Sequence, residues 1–205
     1  MNADMSEKSE LRAELLGARR ALSPRDVRET AAVLARHALE LPELADAGTV
    51  TAYVSVGREP GTRPLLDALR ARGVRVLLPV LLADNDLDWG TYRGPEHLEP
   101  AGRGLLEPDG ERLGPDAVVT ADAVLLPGLA VDAGGMRLGR GGGSYDRVLA
   151  RLAAAGANPA LVVLLYANEV VTRVPVEAHD HPVHAVVTPG GVTRFTEPTA
   201  PAGGA

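Results

Sequence analysis

Residues 121–166 read ADAVLLPGLAVDAGGMRLGRGGGSYDRVLARLAAAGANPALVVLLY. Ala123–Leu126 is a short apolar run of strand length, and Ala160–Tyr166 is a second, rich in Val and Leu. Between them lie a glycine-rich segment, Gly128–Gly143, and a helical stretch, Tyr145–Ala155, closed by Gly156. Strand, loop, helix and strand in this order make a crossover unit of a parallel sheet. The flanks extend it. Thr49–Val56 reads as a buried strand, followed by a Gly/Pro loop, Gly57–Gly61. A helix over Pro64–Arg72 stops at Gly73, and Val74–Val80 is the next strand. Ala185–Thr188 is a fifth. The expected fold is therefore a single-domain layered α/β/α arrangement, spanning 1–205, around a mainly parallel sheet. Its ligands belong at the carboxyl ends of the strands, where Gly57–Gly61 and Gly128–Gly143 lie.

Two helices precede the first strand. Glu10–Arg20 places Leu11, Leu15 and Ala18 on one face. Ser23 caps and Pro24 opens the second helix, whose apolar face is Ala31, Leu34, Ala38 and Leu41, with Pro42 beyond its end. Residues 1–9 are expected to fray. Leu82–Gly114, which holds the lone tryptophan Trp89, is expected to be irregular, and the tail from Gly190 disordered.

Composition narrows the function. The 205 residues are 45% hydrophobic with a formal net charge of −6, which argues against broad nucleic-acid binding. No apolar run approaches the roughly 20 residues of a membrane helix, and Met1–Glu10 lacks a signal-type apolar stretch. A cytoplasmic setting is expected. With no cysteine, disulfides, thiolate metal sites and cysteine nucleophiles are excluded. Among 21 basic residues the single lysine is Lys8. An ammonium is a compact point charge suited to a phosphate oxygen.

The chemistry concentrates in Arg137–Arg147. Four glycines in five positions (Gly139, Gly141, Gly142, Gly143) remove Cβ atoms, so an anion can approach backbone N–H groups. The helix that follows offers its N-terminus to the same anion, and Arg137 and Arg140 add positive charge. The Lys-Ser/Thr pair of a Walker A loop is missing, and Ser144 stands where a dinucleotide fingerprint needs its third glycine. Ser144 also suits the N-cap of the helix. Asp146 favours a helix N-terminus, but beside phosphates it repels unless Mg²⁺ lies between.

These elements resemble the 5-formyltetrahydrofolate cyclo-ligase family. Pro127–Asp132 with Arg137–Arg147 is similar to its signature. Lys8-Ser9-Glu10-Leu11-Arg12 resembles the N-terminal ATP contact. Glu59-Pro60-Gly61-Thr62, Gly104-Leu105-Leu106-Glu107-Pro108 and Val174–Asp180 resemble three further elements, in order, across about Lys8 to Pro189. The resemblance implies ATP-driven closure of 5-formyltetrahydrofolate to 5,10-methenyltetrahydrofolate. It implies that Lys8, Arg12, Arg137, Leu138, Gly139, Arg140, Gly141, Gly142, Gly143, Ser144 and Tyr145 hold ATP. By the same resemblance Val56, Glu59, Gly61, Arg140 and Ser144 face the folate. The resemblance further implies that Asp146 and Asp180 bind Mg²⁺ and makes Arg140 and Tyr145 the candidates for catalysis. The expected partner is the small folate, with no nucleic acid and no membrane; the chain is expected as a monomer or weak dimer. Four positions depart from relatives: lysine is common at Gly142, tyrosine at Ser144, an acid or amide at Gly61, and an aromatic at Arg103.

Other clusters carry less. His179, His181 and His184 flank Asp180, but Pro182 breaks the segment and zinc is not favoured. Asp84, Asp86 and Asp88 lack the glycine and glutamate of a calcium loop and are expected to be solvated. Arg19-Arg20 is expected on a solvated helix face. A sugar-phosphate isomerase or acyl-CoA transferase reading rests on style of fold alone. A divergent member that binds folate or nucleotide without turnover is the alternative, and the presence of Lys8 and Asp146 argues against it.

Overall fold

The computed structural model describes residues 2–177 and 180–195. The chain runs α1 (Asn2–Ala21), α2 (Pro24–Ala38), α3 (Pro42–Ala45), β1 (Thr49–Thr51), α4 (Arg63–Ala71), β2 (Arg75–Leu81), β3 (Leu87–Thr91), β4 (Leu98–Pro100), β5 (Leu106–Pro108), β6 (Ala123–Leu126), β7 (Ala130–Val131), β8 (Arg137–Leu138), α5 (Ser144–Ala154), β9 (Ala160–Leu164), β10 (Ala185–Thr188) and β11 (Gly191–Arg194). The main sheet has the order β11-β10-β9-β6-β1-β2-β3. Its centre is parallel, with Val50 facing Val76 and Ala123, and Leu125 facing Val162. Both edges, β3 and β11, are antiparallel.

Central strands buried on both faces need apolar side chains throughout, and this is what their sequence supplies. Val124, Leu126 and Val163 pack toward Val148, Leu149 and Leu152 of α5. Leu125, Val162 and Leu164 face the opposite layer, which holds Leu34 of α2 with Leu65, Leu66 and Leu69 of α4. The layered α/β/α expectation therefore holds. The start of α2 is a reciprocal cap: Ser23 Oγ accepts from Asp26 N at 3.1 Å, and the Asp26 carboxylate accepts from Ser23 N at 3.0 Å.

Several expectations are corrected. The helix α1 begins at Asn2 rather than Glu10. Residues 2–9 contain no Gly or Pro, so nothing in them breaks a helix. Thr49–Val56 pairs as a strand only over Thr49–Thr51. The chain then turns to meet Thr62, whose Oγ1 donates to Tyr53 O at 2.7 Å and accepts from Ser55 N at 3.0 Å. Trp89, expected in an irregular stretch, is fully buried in strand β3. Neighbouring Gly90 disguised the strand pattern; a Cβ there would lie 2.6 Å from Pro108. From Gly190 the chain forms β11, and Arg194 makes a two-fold ion pair to Glu43. The expected disorder beyond Phe195, and His179, lie outside the described residues.

Arg19 is buried rather than solvated. Its Nε and Nη2 grip the Glu169 carboxylate at 2.6 and 2.9 Å, and Nη2 also donates to Gly128 O at 2.7 Å. Asp86 is likewise not a solvated loop acid. Arg151 of α5 holds it through Nη1 at 3.2 Å and Nη2 at 2.7 Å, which keeps its carboxyl below the usual range. A depressed folded pKa stabilises above the unfolded value of about 3.9 and is lost as pH falls through the folded one. Asp86→Asn is therefore expected to cost about 1–3 kcal/mol at pH 7, with the gap to the parent closing toward pH 2. Denaturant titrations at both pH values measure it, and a pH-independent gap would refute the ion-pair origin.

Candidate functional site

The site lies at the carboxyl ends of β1, β2 and β6, around the turn Gly139–Gly143. That turn is shaped by two left-handed residues, Gly141 at φ +88° and Gly143 at φ +77°. Gly143, not Ser144, is the N-cap of α5, and no side chain caps it. The N-terminal N–H groups of α5 are thus not taken up by a capping side chain. Close packing explains the glycines unevenly. A Cβ on Gly139 would lie 2.9 Å from Arg137 Nη1, and one on Gly141 would lie 3.5 Å from Arg12 Cζ. Gly142 has open space around it, so a larger side chain would fit this backbone.

Two cavities meet across this turn. One, of about 300 Å³, is walled by Tyr53, Val54, Val56, Glu59, Pro79, Leu81, Leu87, Arg103, Leu105, Leu106 and Pro127, and closed by Arg137, Gly139–Asp146. The other, of about 260 Å³, is polar and lined by Lys8, Arg12, Arg137, Leu138, Gly139, Gly141, Gly143, Asp146, Glu177 and Asp180. Arg137, Gly139, Gly141, Gly143 and Asp146 belong to both. A third cavity, of about 420 Å³, lies away from this turn between α5 and the start of β10, beside His184 and Phe195. His184 Nδ1 there accepts from Leu161 N at 2.8 Å.

On the polar side, Lys8 and Arg12 sit one turn apart on α1. Lys8 Nζ lies 2.7 Å from Glu177 Oε2 and 2.9 Å from Asp180 Oδ2. Burial works against the ammonium, but the hydrogen bonds to Glu177 and Asp180 outweigh it and raise its pKa. Asp180 Oδ2 also accepts from Glu177 N at 2.8 Å. Arg12 Nε donates to Gly139 O at 3.0 Å, tying α1 to the turn. Leu138 is buried in β8 against Leu15 of α1 and Val174.

Arg137 forms the partition. Its Nη1 donates to Pro127 O at 2.8 Å, its Nη2 is 3.7 Å from Asp146 Oδ1, and its buried Nε has no hydrogen-bond partner among the described residues. Burial pulls this guanidinium below its ordinary pKa, partly opposed by Asp146. Tyr145 beside it has a buried hydroxyl with no partner among the described residues, and burial raises its pKa above the usual tyrosine range. On the other side Arg140 Nη1 donates to Glu59 Oε1 at 3.1 Å. Glu59 Oε2 accepts from Val56 N at 2.8 Å, which folds the Glu59 loop.

Gly61 does not reach the cavity. It faces α2, where a Cβ would fall 2.5 Å from Ala31 Cβ, and this packing accounts for glycine at the position. Of the apolar wall, Tyr53 reads as part of a buried strand, Leu87 falls in the stretch expected to be irregular, and Leu105 and Leu106 stand in a family-like element with no site role assigned.

A model of the 5-formyltetrahydrofolate cyclo-ligase family matches residues 4–189. The chain belongs to this family. A 5-formyltetrahydrofolate cyclo-ligase of Mycolicibacterium smegmatis is 43% identical over 189 residues, covering 89% of this chain and 93% of that protein. One of Escherichia coli K12 is 33% identical, covering 86% and 97%. The solution structure of Aquifex aeolicus 5,10-methenyltetrahydrofolate synthetase has the same fold, with a TM-score of 0.78 at 30% identity, covering 94% and 95% of the two chains. The chain is thus an enzyme of the ligase class. No helix among the described residues is long and apolar enough to cross a membrane.

The family's implied Mg²⁺ can be tested on the donor set. Asp146 and Asp180 both line the polar cavity. No group of three His, Cys, Asp or Glu able to hold a metal occurs among the described residues. Mg²⁺ is usually bound by one or two carboxylates with water and phosphate oxygens completing its shell, so a two-carboxylate set fits it and does not suit a zinc cage.

Proposed function

We propose that the chain uses ATP to convert 5-formyltetrahydrofolate to 5,10-methenyltetrahydrofolate, releasing ADP and phosphate. The observation that carries this is the pair of cavities, one largely apolar and one polar, separated by glycine backbone with Arg137 between them. A direct transfer between two substrates needs such an arrangement, because the formyl oxygen and the γ-phosphorus must come within a few ångströms. The formyl group is amide-like and its carbon a poor electrophile. Its oxygen takes the γ-phosphoryl group as the bond to ADP breaks. N10 then attacks the formyl carbon, loses its proton, and phosphate departs with the former formyl oxygen.

The residues have separable tasks. Lys8, Arg12 and the backbone of Leu138–Tyr145 hold the triphosphate, with the N-terminus of α5 favouring its charge. Arg137, fixed by Pro127 O, neutralises the oxygens of the group in transfer. Asp146 and Asp180 would hold Mg²⁺, which when bound screens the phosphate charge. Tyr145 keeps its proton and can donate a hydrogen bond to substrate, so it is a donor and not a base. Arg140 sets Glu59 against the folate, with Val56 and Ser144 beside them. Ser144 leaves room that tyrosine fills in relatives. This reading places the enzyme in the cytoplasm as a monomer or weak dimer.

The test is growth of the methenyl chromophore from 5-formyltetrahydrofolate. It is expected only with ATP, to stop in excess chelator, and to return with added magnesium. Full rate in chelator would remove the magnesium role. Binding of both substrates without chromophore would establish the non-catalytic alternative.

A further inference from the structure

The apolar cavity carries three cations on its wall, and they are not equivalent. Arg137 is committed to Pro127 O and Asp146, and Arg140 to Glu59. Arg103 makes no ion pair among the described residues. Its Nη1 donates to the neutral Oδ1 of Asn85 at 3.2 Å, and the residue is exposed. The other donors of this fork make no hydrogen bond among the described residues, at the edge of the cavity that Arg103 lines.

The backbone beneath it is unusual. Arg103 has φ +61° and ψ +21°, within the left-handed region where a residue other than Gly, Asn or Asp is uncommon. Gly104 follows at φ +73°. The turn joins β4 to β5 and is clamped by Ala101 N to Leu105 O at 2.9 Å and Leu105 N to Gly102 O at 3.2 Å. Asn85, its hydrogen-bond partner, is also left-handed at φ +66°. Glycine at 103 would relieve the first of these conformations, yet the position carries a long cation. Strain held at the edge of a binding cavity points to a role for the side chain there.

We infer that Arg103 is a specificity-determining residue that binds the carboxylates of the substrate's glutamate tail. The inference rests on the folate reading above. A tetrahydrofolate has a flat apolar-to-polar head and an aminobenzoyl glutamate end bearing two carboxylates. With the formyl group at the glycine turn, the head occupies the enclosed wall of Tyr53, Leu81 and Leu106, and the charged end leaves through the exposed edge. Carboxylates recognise a guanidinium fork in a planar, two-point contact. The available fork at that edge is Arg103. An aromatic side chain here, as in relatives, offers a face for stacking; arginine offers charge instead. This chain is therefore expected to select ligands by the charge of the tail, increasingly as further glutamates are added.

The test measures equilibrium binding to the full chain of 5-formyltetrahydrofolate and of 5-formyltetrahydropteroate, which lacks the glutamate. The parent is expected to bind the glutamate form roughly tenfold more tightly, a preference that shrinks as salt rises. Arg103→Gly, which suits the left-handed backbone, is expected to abolish the preference while changing pteroate affinity less than about twofold. Arg103→Lys is expected to restore part of it. Equal loss for both ligands in Arg103→Gly, or a preserved preference, would overturn the inference. Binding of the glutamate form with the expected preference, but without conversion, would refute the ligase reaction and leave the role of Arg103 standing.

Discussion

Asp146→Asn is expected to lower turnover by at least about a hundredfold and to shift the melting temperature by no more than a few degrees. The carboxylate is half exposed in the first turn of α5, and its contact with Arg137 Nη2, at 3.7 Å, is too long for a hydrogen bond. As a helix-terminal acid it contributes only about 0.3–1 kcal/mol. A structural role therefore predicts a small loss in everything. A metal-holding role predicts a different pattern. Replacing a ligand's hydrogen-bonded neighbour alone commonly costs about 10–100-fold in metal affinity or activity, and loss of the ligand's own charge exceeds that. A hundredfold rate loss corresponds to about 2.7 kcal/mol of barrier, well above the dipole contribution. The measurements are kcat/KM over a magnesium series and a thermal melt on the same preparation. Activity within tenfold of the parent at saturating magnesium would return Asp146 to the helix-terminal role.

The largest effect on stability is expected from Arg19→Ala, at about 3–5 kcal/mol. In a chain of this size that is roughly 6–20 °C in melting temperature. Arg19 and Glu169 have side chains only 4% and 1% exposed, so neither charge can fall back on water. Removing Arg19 strands a carboxylate that also accepts from Tyr166 N at 2.9 Å, and frees Gly128 O. The cation further lies 5.8 Å from the centre of the Tyr166 ring, whose hydroxyl reaches the backbone oxygens of Arg58 and Glu59 at 3.2 and 3.3 Å. Replacing both partners by apolar residues, Arg19→Met with Glu169→Leu, is expected to recover more than half of the loss, since no charge is left unpaired. A single variant melting within about 3 °C of the parent would show that water reaches the pair.

What could be read from the sequence followed from how local its physics is. The glycine turn and the capped start of α2 each declare themselves within a dozen or so neighbouring residues, and the crossover from β6 to β9 within one continuous stretch, Ala123–Leu164. Arg19 could not, because the partner that buries it lies 150 positions away. Two adjacent arginines on a helix look solvated until a glutamate from another layer appears. Asp86 deceived in the same way, with Arg151 65 positions distant. The strand around Trp89 was hidden because Gly90 and two aspartates interrupt its pattern, for reasons that lie in Pro108 and Gly114. Within the site, Lys8, Arg12, Arg137–Asp146 and Asp180 were legible as candidates and line the two cavities, while Gly61 faces α2 instead. The cavity wall was not legible, because an apolar side chain lining a ligand site has the same composition as one lining the core.

The long reach of α1 also sets an order of events during synthesis. Its Arg19 waits for Glu169, and Lys8 waits for Glu177 and Asp180, 169 and 172 positions later. At about 5–20 residues per second, the 150 residues separating Arg19 from its partner take roughly 8–30 s to emerge. Through that interval α1 carries a cation destined for the interior and an apolar face without its cover, while β1, β2 and β6 can already pair. The polar cavity therefore closes last, when α1 meets Glu177 and Asp180, and a nascent chain halted before β9 has Lys8, Arg12 and the glycine turn but lacks the two carboxylates that pair with Lys8.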